Sequence, residues 1–240
     1  MKTIVRRTAT IVVFFGLLQL STKLHEPQLR HLQRLADVLV VAPRRKTLAE
    51  LAAQELHGVD PSNLADFFRI SPWDPDDVRI PMIEFILKDL RARLAGSNKP
   101  IYLLIDDSLA NKDKNTRKLE AVDWFFDHKC SRTVKASNHI SLSISWGDYY
   151  YPLLQHLYLR QATVRKRNKR RSRDRRLRYE SKLDLARRML ERIKPLLPDG
   201  VKGYVMFHSW YTSANLVRWI RNQGWHVIAG IKSNRKLSGL

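Results

Sequence analysis

A single cysteine, Cys130, in 240 residues excludes an internal disulfide and any zinc cluster built on cysteines. The reducing cytoplasm is the simplest compartment for such a chain. Long apolar runs are also scarce. Ile11-Val12-Val13-Phe14-Phe15-Gly16-Leu17-Leu18 follows Lys2, Arg6 and Arg7 as the core of a signal peptide would. It lacks a small-x-small cleavage site, and it falls well short of the roughly 20 residues that span a bilayer. A core helix broken at Ser21-Thr22-Lys23 is the plainer reading, with export as the alternative. Acidic charge is the third shortage: 44 Lys and Arg face 23 Asp and Glu, a formal net charge of +21. That excess points to a polyanion, either a nucleic-acid backbone or an anionic membrane surface. Six Trp and eight Tyr argue against a disordered basic tail, and the length allows one or two domains with a substantial core.

What is present is organised around Lys99-Pro100-Ile101-Tyr102-Leu103-Leu104-Ile105-Asp106-Asp107-Ser108, an apolar β-prone run driven into two adjacent carboxylates. Five apolar residues after a proline suit a strand covered on both faces. Carboxylates at the mouth of such a strand are natural ligands for Mg²⁺, although Asp-Asp-Ser also suits a turn or a helix cap. Alternation lets only one of the two acids face a given site.

Residues 1–98 read as a helical region. Leu29, Leu32, Leu35, Ala36 and Leu39 keep helical spacing from Glu26. Thr47 with Glu50 three residues on forms a capping box for a helix that Gly58 stops. Val59 to Ser62 reads as a turn, and Asn63 to Arg69 as a second helix. Two short helices about a tight turn have the shape of a DNA-binding helix-turn-helix, and equally of an ordinary αα-hairpin. Ser71 to Pro75 breaks the pattern, Met82 to Leu94 makes another helix, and Gly96-Ser97-Asn98 is a linker.

Residues 99–240 read as an α/β body. Asn111 to Lys118 is a polar loop. His139 to Trp146 alternates as a half-buried strand, Gly147-Asp148 turns, and Tyr149 to Tyr158 returns. Arg165 to Arg178 is almost wholly basic and is expected to be a solvated or mobile segment that orders on phosphate. A helix from Ser181 ends at Pro195, a buried strand runs from Gly203 to Trp210, a helix from Ser213 to Asn222, and a last strand from Trp225 to Ile231. The order β-β-β-α-β-α-β with crossover helices is an α/β fold with a mixed sheet.

Leu104-Ile105-Asp106-Asp107-Ser108 with Lys112 nearby, Tyr151-Pro152-Leu153 leading to Leu157-Tyr158, Phe207-His208-Ser209-Trp210-Tyr211, and Ile231-Lys232-Ser233-Asn234-Arg235 carry a resemblance. The chain resembles the RNase H-like DDE transposases of bacterial and archaeal insertion sequences, of the insertion sequence 701 type. The resemblance implies an RNase H-like domain at 99–240, incomplete at its C-terminus, behind a DNA-binding region at 1–98. It also implies metal-dependent phosphodiester cleavage and strand transfer on transposon ends with Mg²⁺ or Mn²⁺ held by three acids. Asp107 matches the first acid and metal ligand, so by alternation Asp106 is expected to face away. His208 stands at the place of the second. The third, a Glu, has no counterpart, since Val201 to Leu240 holds neither Asp nor Glu. A shortened copy that does not cut is therefore expected, or a remnant that occupies transposon ends. Arg165, Lys166, Arg167, Lys169, Arg170, Arg171, Arg173, Lys232 and Arg235 are the expected DNA contacts. The partner is DNA, not a membrane, in the cytoplasm, with a homodimer left open.

Overall fold

The computed structural model describes residues 9–42, 47–53, 60–117, 119 and 121–232. The chain divides into two compact units, Met1–Lys88 and Asp89–Leu240.

The first unit is helical: α1 (Ala9–Leu17), α2 (Glu26–Val41), α3 (Leu48–Ala53), α4 (Pro61–Arg69) and the start of α5 (Asp76–Arg93). Phe15, Leu18, Leu20 and Leu24 are buried against Leu29 and Leu32 of α2 and Met82 and Phe85 of α5, so one face of the apolar N-terminal run is core, while Val12, Val13 and Leu17 stay exposed. No helix among the described residues is long and apolar enough to cross a membrane. Gln28 is buried but satisfied, donating to Ser71 Oγ and the Pro72 carbonyl, each at 3.1 Å. Thr47 Oγ1 accepts from the Glu50 N–H at 3.2 Å, as the capping signal predicts. The expected stop at Gly58 lies outside the described residues.

Two helices start earlier than the sequence suggests. Asp60 caps α4 by accepting from the Ser62 N–H at 2.8 Å, which turns the expected Val59–Ser62 turn into a helix start. Helix α5 begins at Asp76, not Met82, and runs through Pro81. Asp74 accepts from the Asp76 N–H at 2.9 Å, and Asp76 and Asp77 place negative charge at the positive end of the helix. Pro81 removes one hydrogen bond, but burial of Ile83, Leu87 and Leu90 to 2% exposure or less outweighs that loss.

The second unit is a six-stranded mixed sheet with helices. Its strands are β1 (Ile101–Asn111), β2 (Val122–Asp127), β3 (Arg132–Trp146), β4 (Tyr149–Tyr158), β5 (Gly203–Phe207) and β6 (His226–Ala229). β3 lies antiparallel to β1, β2 and β4; β1, β5 and β6 run parallel. Helices α6 (Gln161–Asn168) and α7 (Lys182–Ile193) precede β5, and α8 (Ala214–Asn222) joins β5 to β6. Three antiparallel strands followed by parallel strands across helices form an RNase H-like sheet. Against the expected order, β2 and α6 are additions.

Alternation fixes the two faces. Ile101, Leu103 and Ile105 of β1, Ile140, Leu142 and Ile144 of β3, and Val205 of β5 are buried on one side, as are Leu185, Ala186, Met189, Leu190 and Ile193 of α7. Ser181 caps α7 reciprocally with Asp184, and Ser213 caps α8 through the Leu216 N–H at 3.2 Å. Gly147 makes the β3–β4 turn at φ +62°, and a Cβ there would lie 3.0 Å from Leu94. Pro152 interrupts the β3–β4 ladder, where the register shifts between Leu142 and Ser143.

Candidate functional site

β1 does not end at its carboxylates. It continues to Asn111 because β3 is long enough to pair with it throughout, from Trp146 opposite Ile101 to Ala136 opposite Asn111. The parallel partner is shorter: the β1–β5 register stops at Ile105 beside Phe207. Asp106 and Asp107 therefore sit mid-strand, at the point where β5 gives way to its loop.

That register decides which acid meets His208. One step past Ile105–Phe207 sets Asp106 beside His208, and neighbours across a sheet share a face. His208 Nε2 lies 3.9 Å from Asp106 Oδ1, with side chains 81% and 62% exposed. The expectation that Asp106 faces away does not hold. Asp106 Oδ1 also accepts the Asp107 N–H at 2.8 Å, and the Ser141 hydroxyl donates to the Asp106 carbonyl at 3.3 Å. The pair opens on a groove of about 380 Å³ lined by Leu104, Ser141, Met206 and Ile228 among others.

Asp107 projects to the opposite, buried face and meets α7. Its Oδ2 accepts from Lys182 Nζ at 2.6 Å and from Asn138 Nδ2 at 3.3 Å, and its Oδ1 from the Tyr211 hydroxyl at 3.2 Å. The carboxylate is 23% exposed and the Lys182 side chain 13%. Burial first, and then the charge of Asp107, pushes the Tyr211 phenol well above its ordinary range. Lys182 Nζ lies 4.8 Å from the Trp210 ring centroid and 5.4 Å from that of Tyr158. Burial, and then the hydrogen bond that the Tyr158 hydroxyl donates to Tyr179, push Tyr158 up to about 12. Asp107 is thus already neutralised by a lysine and held by two further donors.

Mg²⁺ pairs need several oxygen anions around them. One carboxylate and one imidazole face each other here, and among the described residues no group of three His, Cys, Asp or Glu could hold a metal ion. The side chains present do not fit a two-metal centre.

The basic block is more structured than a mobile segment. Arg165, Lys166 and Arg167 form the last turn of α6, whose Val164 is buried. Asn168 then clamps the loop, donating to the Leu177 carbonyl and accepting from its N–H, each at 2.8 Å. Arg165, Lys166, Lys169, Arg170 and Arg173 are exposed, while Arg171 donates to the Arg175 carbonyl at 3.2 Å. Lys232 is exposed beyond β6, and Arg235 lies outside the described residues. Sequence reasoning missed Lys182, Asn138 and the anchoring role of Tyr211. Tyr211 belongs to the Ser-Trp-Tyr signature, but nothing local tells which carboxylate it reaches.

No curated protein matches the sequence. Among solved structures, a cryo-EM structure of the piggyBac transposase synaptic complex with hairpin DNA is similar, with a TM-score of 0.42 and 11% identity. That similarity covers 96% of this chain and 50% of the other, so the chain spans about half the length of that transposase chain. The sequence profile of the DDE superfamily endonucleases matches residues 19–239. Since that match runs from just after α1 through the last strand, the chain belongs to the DDE superfamily endonucleases.

Proposed function

We propose that this chain is a transposase-type protein that binds DNA at transposon ends but does not cut it with its own set of side chains. The carrying observation is the contact at the strand ends: a single carboxylate, Asp106, faces His208, while Asp107 is committed to Lys182. In the family's chemistry, Mg²⁺ or Mn²⁺ would activate the attacking oxygen and stabilise the leaving one. Imidazole is a poor Mg²⁺ ligand, and it supplies no negative charge between two dications. Asp106, rather than Asp107, is the acid we assign to the metal-facing position.

DNA binding is supported by the net charge of +21 and by the exposed cations on and after α6. A cytoplasmic location and a homodimer on paired ends belong to the same proposal. Recognition by α4 has weaker support, because its one arginine, Arg69, is paired with Asp66 at 2.6 Å.

One experiment tests both halves. Binding to terminal DNA should weaken steeply with salt, each neutralised phosphate contributing about 0.9 to the log–log slope. Changing Arg165, Lys166, Arg167, Lys169, Arg170 and Arg173 to Gln should flatten that slope. In the same mixtures, neither Mg²⁺ nor Mn²⁺ should produce nicks. Metal-dependent nicking that Asp106→Ala abolishes would overturn the non-cutting half, and an unchanged slope would overturn the assignment of the basic block.

A further inference from the structure

The face that carries Asp106 does not end at the groove. Along β1 and β3, Asp106 lies beside Ser141, Ser108 beside His139 and Ala110 beside Ser137. Ser137 then pairs with Val122 of β2, Lys135 with Trp124, and Thr133 with Phe126. Residues directly opposite share a face, so the side of Asp106 is also the side of Trp124 and Phe126. Ser141 lies six residue steps along β3 from Lys135, about 20 Å of extended strand.

Trp124 and Phe126 are 44% and 53% exposed. The Phe126 ring meets only the edge of His128, at 5.0 Å between centroids, among the described residues, and two large rings this exposed on a short edge strand call for a partner. The opposite face of β2 is already engaged. Asp123 accepts from the Thr163 hydroxyl, and Arg160 Nη1 lies 3.6 Å from Asp123 Oδ1 and donates to the Trp124 carbonyl at 3.0 Å. The Phe125 ring lies 6.4 Å from that of Tyr158. These bonds fasten α6, with Arg165 and Lys166, to the same arm.

The aromatic side also has its own cations. Lys135 stands beside Trp124 and donates to the Lys114 carbonyl at 2.8 Å. Lys112, just past β1, lies close enough to His139 for its charge to add to burial in holding that imidazole below its usual range. His128, Lys129 and Arg132 are exposed around the hairpin tip.

Rings flanked by lysines suit nucleobases, whose faces stack on aromatics while their phosphates meet the cations. A paired duplex keeps its base faces inside the stack, so these rings are open only to an unpaired base. We propose that the Trp124–Phe126 arm takes unpaired nucleobases of a DNA single strand or frayed end, with the phosphates on Lys112 and Lys135 of the same face. This rests on the DNA-binding reading above and adds to it the form of DNA that is preferred.

The test is fluorescence anisotropy of the full chain with three labelled DNAs: a single strand, a blunt duplex and a duplex with a frayed end. Trp124→Ala should weaken the single strand and the frayed duplex by about 5- to 150-fold for each base that stacks, and the blunt duplex hardly at all. Trp124→Phe, which keeps a ring, should recover most of the loss. Gln at Arg165, Lys166 and Arg167 should weaken all three. If Trp124→Ala fails to fold, Phe126→Ala is read in the same way. An equal loss on all three DNAs, or none, overturns the inference while leaving DNA binding intact. A chain that binds no DNA overturns both. Light scattering in which Trp124→Ala breaks up an oligomer, with no change in DNA affinity, would assign the face to a second copy and overturn it as well.

Discussion

The two faces of β1 treat neighbouring carboxylates in opposite ways. Asp107 is three-quarters buried and receives a lysine, an amide and a phenol; Asp106 is 62% exposed, with His208 3.9 Å away and the Ser141 hydroxyl on its carbonyl. Burying a carboxylate is tolerable only when its charge is balanced and its lone pairs are filled, and Asp107 meets both conditions. The same saturation leaves it little capacity to serve a metal. A spare acid is useful in chemistry because the fold has not used it.

The sharpest way to break the comparison is to strip the cation from the buried side. Lys182→Met leaves Asp107 charged and half-partnered, which should destabilise the α/β unit by about 2–3 kcal/mol. That is less than the ~3–5 kcal/mol of fully buried pairs, because Asp107 keeps 23% exposure. Denaturant unfolding at neutral pH measures it. Adding Asp107→Leu to Lys182→Met should restore most of the loss, since both members of the pair are then apolar. If the double variant is no better than the single one, Lys182 acts through its contacts with Trp210 and Tyr158 rather than through charge.

Next in size is the phenol. Tyr211→Phe removes one hydrogen bond to a charged acceptor, worth about 1.5–3 kcal/mol at most, and leaves the buried ring in place. The pH dependence carries the sign. Folding raises the pKa of Tyr158 from 10.0 to about 12 and pushes that of Tyr211 up as well. The unfolded phenols therefore lose their protons first. The stability this contributes is complete below pH 10 and drains away as pH rises towards 12 and beyond. Unfolding curves at pH 8, 10 and 11 should record the decline, and Tyr211→Phe should make it shallower. An unchanged slope would mean that Tyr211 does not titrate against the folded state.

Much of the architecture was legible because its signals are local. The helix starts at Ser181 and Ser213, the turn at Gly147 and the alternation from His139 to Trp146 each rest on signals within a few residues, and the structure uses them where the sequence puts them. β2 was not legible, since Val122-Asp123-Trp124-Phe125-Phe126 neither alternates nor carries a turn signal on both sides. The start of α5 at Asp76 was missed because the apolar spacing is clear only from Met82 on, while Asp74, Asp76 and Asp77 set the start through capping and charge. The site was the least legible part. Alternation establishes that Asp106 and Asp107 oppose each other, but which of them meets His208 depends on the β1–β5 register, set by contacts about a hundred residues apart in the chain. Lys182 has no sequence signature at all, being one cation among 44 Lys and Arg.

The smallest expected effect sharpens the comparison most. Asp106→Asn removes a charge from the exposed side and keeps the carbonyl oxygen that accepts the Asp107 N–H at 2.8 Å. Since the ion-pair partner of Asp106 among the described residues is a mostly exposed imidazole 3.9 Å away, its charge adds little to folding. The change in stability should stay within about 0.5 kcal/mol at neutral pH, as for most surface substitutions. The same edit at the neighbouring position, Asp107→Asn, withdraws the negative charge from Lys182 and should cost several times more. The two substitutions are identical in chemistry and one residue apart in sequence, so only the face can account for a difference. Equal losses would mean that the buried pair contributes nothing beyond a surface ion pair. A larger loss at Asp106 would place the structural anchor on the open face, and both the assignment of Lys182 and the choice of Asp106 as the metal-facing acid would have to be reversed.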